Sequence, residues 1–322
     1  MTFECDANNM KAQKDSLLHF PPIETHLIRS RHVAQTFKIQ VMQPGRRAGD
    51  TRRFPVVYAT DGNWTFDMFK SISYLLQMSA LDSPPFILVG IGYPSDFPHA
   101  GYMLRMRDLS APPFPRWEKW EKNWHDCMMV PYIEGVLEPE EGTKNFYGGE
   151  DFRSFIGTEL LPFIDEKYQT LAGERTYFGH SQGGFFGLFT LFTQSHLFKN
   201  YIVSSPGVVC HGEANFGGRY DNHEFGVQMV RDFAATGRAL AGVKLYLSVG
   251  ADEEHEPVLA PYQMTSGLER LVKAVKLAAI PGLELMSEIF PGETHKTVWP
   301  IAFTHGVQAM LGTRRVHRSV YF

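Results

Sequence analysis

Short, almost continuously apolar segments alternate along this chain with longer segments of helical periodicity, and this alternation constrains the fold most strongly. Six apolar segments are predicted as strands, at Phe54–Thr60, Phe86–Ile91, Thr176–Phe178, Tyr201–Ser204, Val243–Val249 and Leu283–Phe290. Two extended segments precede them, at Ile23–Ile28 and Thr36–Met42. Helical spacing is seen at Trp64–Met78, Phe152–Tyr168, Gly183–Phe192, Tyr262–Ala279 and Thr297–Leu311. Because strands that are apolar on both faces need helices on both sides, we predict an α/β fold with a mostly parallel, doubly wound sheet.

The sequence predicts one domain with a long insertion. Residues 1–22 are expected to form an N-terminal arm, and residues 23–322 a single α/β domain. The stretch 109–149 has several prolines, many aromatic residues and no strand pattern, and we interpret it as a cap inserted into a connection. Trp117, Trp120 and Trp124 recur there at helical spacing, so they either fix the cap to the core or line a substrate pocket.

Composition excludes several classes of partner. The net charge of −4 and pI near 6.4 give no reason to expect nucleic acid or an anionic membrane surface. Cys5, Cys127 and Cys210 are odd in number and form no C-x-x-C pair, so neither a disulfide framework nor a zinc cluster is expected. Residues 1–18 lack the apolar core of a signal peptide, and no window is apolar enough for a membrane span. We therefore expect a soluble, cytoplasmic protein, whose oligomeric state the sequence leaves open.

One glycine-rich motif predicts a nucleophile. Ser181 lies at the centre of a G-x-S-x-G motif, between Gly179 and Gly183. A predicted strand leads into the motif and an apolar helix leads out, which is the context of a nucleophile elbow. A phosphate-binding turn is the alternative, but neither a lysine nor a G-x-G-x-x-G register accompanies the motif.

A base and an acid are expected after later strands, in the order Ser, acid, His. His295 follows the last predicted strand and is the candidate base, with His305 in the next helix as its rival. The loop after Val243–Val249 carries three acidic residues, and Glu253 is the candidate acid with Asp252 as the alternative. Such a carboxylate fixes the imidazole tautomer and stabilises the imidazolium ion.

An oxyanion hole needs two backbone N–H groups that point at the same oxygen. The amide of Gln182 follows the candidate nucleophile directly, as this role requires. The loop after Phe54–Thr60 would supply the second donor from Asn63, or it is an ordinary turn.

These motifs together resemble the "putative esterase" branch of the α/β-hydrolase superfamily, which includes siderophore esterases, feruloyl esterases, S-formylglutathione hydrolase and mycolyltransferases. The resemblance extends from about Ile23 to Leu311. The stretches that carry it are Tyr58–Asn63, Val89–Pro94, Arg107–Leu109, Phe155–Pro162, Gly179–Gly184, Ser204–Pro206 and Phe290–His295. It implies Ser181 as nucleophile, His295 as base, Glu253 as acid, and Asn63 with Gln182 as oxyanion donors. It implies no metal and no organic cofactor.

The expected activity is hydrolysis of a small, aryl or acyl carboxylic ester through an acyl-enzyme. Candidate pocket residues are Trp64, Arg107, Trp117, Trp120, Trp124 and His180; Arg107 either lines the pocket or braces its loop. Alternatives are a siderophore trilactone esterase, an acyltransferase with the same triad, and a non-catalytic binding module. A metal site at His211, His223 and His255 has no recognisable ligand spacing. Residues 110–150 hold eight acidic and four basic side chains, which disfavours a strongly anionic ferric catecholate and favours a neutral ester.

Overall fold

The computed structural model describes residues 22–45, 50–78, 82–94, 104–112, 148–214 and 218–312. Most of the predicted N-terminal arm and residues 113–147 of the predicted cap lie outside these ranges. The prediction for Trp117, Trp120 and Trp124 falls on that part of the chain.

Ten strands are described, and eight of them form one sheet. The strands are β1 (Ile23–Arg29), β2 (Thr36–Met42), β3 (Phe54–Ala59), β4 (Ile87–Gly92), β5 (Thr170–His180), β6 (Asn200–Ser204), β7 (Cys210–Ala214), β8 (Gly218–His223), β9 (Val243–Gly250) and β10 (Leu283–Phe290). The order in the main sheet is β1-β2-β4-β3-β5-β6-β9-β10. β2 is antiparallel to both of its neighbours, whereas the other six strands of this sheet, β4, β3, β5, β6, β9 and β10, pair in parallel. The predicted, mostly parallel sheet is therefore confirmed.

Helices cover both faces of this sheet. They are α1 (Gly62–Met78), α2 (Gly149–Phe155), α3 (Leu161–Lys167), α4 (Gln182–Gln194), α5 (Phe225–Ala235), α6 (Met264–Ala278) and α7 (Val298–Leu311). α1 and α7 share one face, where Phe69 and Phe303 stack with ring centroids 4.0 Å apart. The other helices pack on the opposite face, in a second apolar core. Within the described residues, no helix has the length and hydropathy needed to cross a membrane.

Two strands and one helix, β7, β8 and α5, were not predicted from the sequence. β7 and β8 form a separate antiparallel hairpin, and their residues show no alternation of apolar and polar side chains. α5 follows that hairpin and buries an apolar face that includes Phe225, Val230 and Phe233. β5 also begins earlier than predicted. Its first six residues, Thr170–Arg175, mix polar and small residues and are mostly not buried, so no apolar run marks them as a strand.

Candidate active site

β5 and α4 meet at Ser181, near the middle of the sheet. β5 lies between β3 and β6, and it ends at His180. Ser181 has φ 57° and ψ −119°, a conformation that is strained for a residue with a side chain. Ser181 is partly exposed, whereas His180 and Gln182 on either side are buried. The turn therefore presents this one side chain at the carboxyl edge of the sheet.

The flanking glycines are required by close backbone packing. A Cβ atom on Gly179 would lie 2.2 Å from the carbonyl oxygen of Gly183, and one on Gly183 would lie 2.6 Å from Thr60 Oγ1. At Gly184 the nearest atom would be the carbonyl oxygen of Ser204, at 2.8 Å. Real Cβ atoms do not approach other atoms this closely, so side chains at these positions would displace the turn.

Glu253 and His295 are joined by a short hydrogen bond. Glu253 lies in the 3₁₀ segment Ala251–His255 after β9, and His295 follows β10. These two strands are neighbours, and Phe290 at the end of β10 pairs with Gly250 at the end of β9. The distance from His295 Nδ1 to Glu253 Oε2 is 2.6 Å. Asp252, the alternative acid, is exposed, and its backbone N–H donates to the carbonyl of Glu293.

The carboxylate of Glu253 is fully buried and bound on both oxygens. Oε1 accepts hydrogen bonds from Ser205 Oγ at 2.6 Å and from the Gly250 backbone N–H at 2.7 Å. Oε2 accepts the bond from His295. Because the backbone N–H can only donate, Oε1 must be an acceptor, and an ionised carboxylate suits three donors.

His295 is held by its backbone as well as by its ring. Its N–H donates to Glu256 Oε1 at 2.7 Å, and its carbonyl accepts from Trp299 Nε1 at 3.1 Å. The centroid of its ring lies 4.4 Å from that of His180, the residue before Ser181. His295 therefore lies beside the strained turn. With Nδ1 bonded to Glu253, Nε2 is the ring nitrogen left for the serine.

His180 was predicted to line the pocket, but it is completely buried and packs behind His295. Its Nδ1 lies 3.0 Å from Ser204 Oγ, and its ring centroid is 4.1 Å from that of Trp299. Burial lowers the pKa of His180 well below its ordinary value, and nearby His295 and Arg105 act in the same direction. A neutral imidazole thus supports the ring of His295.

Asn63 and Gln182 lie in the first turns of α1 and α4, where helix N–H groups have no acceptor within the helix. The Asn63 carboxamide exchanges two hydrogen bonds with the Tyr93 backbone, at 2.8 and 2.6 Å. The Gln182 carboxamide donates to Ser110 Oγ and, at 3.4 Å, to the carbonyl of Met106. These side-chain hydrogen bonds hold both residues in place, and they thereby restrict the orientation of the two backbone N–H groups.

Of the two arginines near the site, the sequence pointed to Arg107, but Arg105 is the one that touches the active-site loops. Arg107 is buried, and its guanidinium binds Asp108 at 2.6 and 3.1 Å. Burial raises the pKa of Asp108, against the opposing effect of Arg107. Arg105 instead binds Asp61, which begins the turn before α1. Both arginines belong to one R-x-R-D run, and no sequence signal distinguishes them.

Among the candidate pocket residues that the structure describes, Trp64 is the most exposed, at 42%. The guanidinium carbon of Arg105 lies 5.7 Å from the centroid of its ring. Trp64 follows Asn63 directly, so its indole stands next to one candidate oxyanion donor.

His305 lies in α7, away from the Glu253–His295 pair. Its Nδ1 contacts both carboxylate oxygens of Glu288, at 3.1 and 3.0 Å, and its ring meets Phe290 edge-on. Over the described ranges, no group of three or more His, Cys, Asp or Glu side chains is arranged to hold a metal ion.

Comparison with known proteins identifies relatives along nearly the whole chain. A family model described as "Putative esterase" matches residues 137–310, more than half of the chain. The ferri-bacillibactin esterase BesA of Bacillus subtilis is 24% identical over 303 residues, covering 93% of each protein.

Two solved structures agree in fold. The BES protein of Bacillus cereus superposes with a TM-score of 0.69 at 24% identity, over 94% of this chain and 99% of that one. The siderophore hydrolase EstA of Aspergillus nidulans gives a TM-score of 0.69 at 20% identity, over 95% and 97%. At this level of identity the likeness establishes the fold, and it confirms the predicted α/β-hydrolase architecture.

Proposed function

The chain belongs to the esterase family whose model matches it, and from that premise we propose that it hydrolyses carboxylic esters through an acyl-enzyme on Ser181. In this proposal His295 is the general base and Glu253 orients it. The backbone N–H groups of Asn63 and Gln182 bind the oxyanion. The observation that carries the proposal is the buried Glu253–His295 hydrogen bond beside the strained turn at Ser181.

In the acylation half-reaction, Ser181 Oγ attacks the ester carbonyl while His295 Nε2 accepts the hydroxyl proton. The carbonyl electrons move onto oxygen, which the two backbone N–H groups stabilise. When the intermediate collapses, the bond to the alkoxy oxygen breaks. That oxygen takes the proton from His295 and leaves as the alcohol.

Water completes the cycle by the same steps. His295 Nε2 removes a proton from water, the hydroxide oxygen bonds to the acyl carbon, and a second oxyanion forms. The bond to Ser181 Oγ then breaks, Oγ recovers the proton, and the carboxylic acid is released. No residue changes its net protonation over the cycle.

The test is whether Ser181 carries the acyl group. A fluorophosphonate probe is expected to label the wild-type protein on Ser181 and to leave Ser181→Ala unlabelled. Turnover of p-nitrophenyl acetate should fall about 10³-fold or more in Ser181→Ala, with circular dichroism unchanged. Wild-type turnover by the variant would reject the proposal.

A second candidate is the hydrolysis of siderophore esters, and it is favoured by the comparisons. BesA is named as a ferri-bacillibactin esterase and EstA as a siderophore hydrolase. Against a ferric complex stands the excess of acidic residues over 110–150, which should repel a strongly anionic ligand. Rates on a metal-free trilactone, its ferric complex, and neutral aryl and alkyl esters would decide between the two candidates.

A further inference from the structure

A buried ion pair lies beside the proposed oxyanion hole. Arg105 is 5% exposed and Asp61 is 7% exposed, and their two hydrogen bonds measure 2.6 and 3.1 Å. A buried ion pair often adds little to stability compared with apolar residues of the same volume, because both ions lose their hydration. We therefore ask which backbone groups this ion pair holds in position, rather than how much it stabilises the fold.

Asp61 connects the pair to the first proposed donor. It has φ 61°, and its carbonyl accepts hydrogen bonds from the N–H groups of Trp64 and Thr65 at 3.0 and 3.1 Å. Asp61 thus sets the start of α1, two residues before Asn63. Any rotation of its backbone would turn the Asn63 amide.

Arg105 connects the same pair to the nucleophile turn. Its Nη2 atom makes a long contact of 3.5 Å with the carbonyl oxygen of His180, which precedes Ser181. The segment that carries Arg105 also receives both side-chain bonds of Gln182, at Met106 and Ser110. One short segment, residues 105–110, therefore touches the loops that carry both proposed donors.

We propose that Arg105 is a positioning residue that sets the distance between the two oxyanion donors by binding Asp61 on one loop and the His180 carbonyl on the other. This inference rests on the proposed function. Oxyanion stabilisation depends on donors that are already in place when charge develops, and a displacement of about 1 Å can cost about 10² in rate. Loss of Arg105 should consequently lower kcat more than it raises KM.

Arg175 provides a control outside the candidate site. It lies on β5, five residues before the strand ends at His180, and its guanidinium binds the carboxylate of Asp165, with the two side chains 20% and 22% exposed. Arg175→Met removes the cation of a half-buried ion pair, as Arg105→Met removes that of a buried one, but the Arg175–Asp165 pair includes neither Asp61 nor His180.

Steady-state kinetics on p-nitrophenyl acetate should separate the two variants. Arg105→Met is expected to lower kcat about 10- to 100-fold with KM within about 2-fold, while Arg175→Met keeps kcat within about 2-fold. Binding of phenylboronic acid, which forms a tetrahedral adduct on serine, should weaken in Arg105→Met by the same factor as kcat/KM. Arg105→Lys should recover part of the rate.

Equal losses in the two methionine variants, or an unchanged kcat in Arg105→Met, would overturn the inference. If Arg105→Met does not fold, the double variant Arg105→Met plus Asp61→Asn removes the unpaired charge. It is compared by the same criterion with the double variant Arg175→Met plus Asp165→Asn. The proposed function fails differently, because Ser181→Ala would then retain activity whatever the behaviour of Arg105.

Discussion

Replacing Glu253 by glutamine should move the ring proton of His295 from Nδ1 to Nε2 without changing the shape of the site. The Gly250 N–H donates to Oε1 and cannot accept, so the amide oxygen of glutamine must occupy that position. The amide NH2 then takes the place of Oε2, opposite His295 Nδ1. Two N–H donors cannot face each other, and the imidazole is expected to move its proton to Nε2.

In the proposed mechanism, a proton on Nε2 would prevent His295 from accepting the proton of Ser181. The corresponding Asp→Asn change in a serine protease costs about 10⁴ in kcat, and we expect a similar factor here. This corresponds to about 5.5 kcal/mol in the activation free energy. Glutamine has the size of glutamate and retains the hydrogen bonds at the Oε1 position. The Tm of the variant should therefore stay close to that of the wild type, although kcat falls.

Asp252→Asn is the matched control, because Asp252 adjoins Glu253 but is exposed. Turnover of p-nitrophenyl acetate should be within about 2-fold of wild type in this variant, and ¹⁵N NMR should show the altered tautomer in Glu253→Gln alone. The reasoning is refuted if Glu253→Gln keeps more than a tenth of the wild-type kcat, or if Asp252→Asn loses as much.

Two further predictions concern stability. Gly179→Ala should lower the free energy of unfolding by about 3 kcal/mol or more, because the new Cβ would clash with the Gly183 carbonyl. A Cβ on Gly173 would have no atom within 4 Å, so Gly173→Ala is the control and should leave the free energy of unfolding, measured by urea denaturation, nearly unchanged. His180 is kept neutral when folded but binds a proton when unfolded, so wild type should lose stability as the pH falls below about 6.5, by up to about 1.4 kcal/mol per pH unit. His180→Gln should lack this part of the slope when urea denaturation is repeated from pH 5 to 8; identical slopes would contradict the buried, neutral state.

The sequence predicted the centre of the main sheet well because the central strands are apolar on both faces. That pattern has one physical cause, burial between two helical layers, and it is visible at Phe54–Ala59 and Val243–Gly250. The β7–β8 hairpin was missed because strand pairing there is accompanied by no apolar alternation. Pairing by backbone hydrogen bonds alone leaves no periodic mark on the sequence.

Placement of Ser181, Glu253 and His295 could be predicted because each follows a recognisable strand. The choice between Glu253 and Asp252 could not be made on residue type, since it depends on which side chain the 3₁₀ segment turns inwards. The positions of His180 and Arg105 could not be predicted for a similar reason. Their positions depend on packing between loops that are distant in sequence, and a single sequence carries no record of those contacts.

Four adjoining parallel strands of the sheet, from β5 to β10, together with β3, end at the same edge, and each proposed participant in the chemistry stands just beyond one of them. The ladders of interstrand bonds fix the ends of these strands relative to one another, so a large shift between the loops would require a ladder to stretch. Trp64 belongs to none of these strands and is 42% exposed. A change of this side chain is therefore expected to alter the surroundings of a substrate while the distances between Ser181, Glu253 and His295 stay the same.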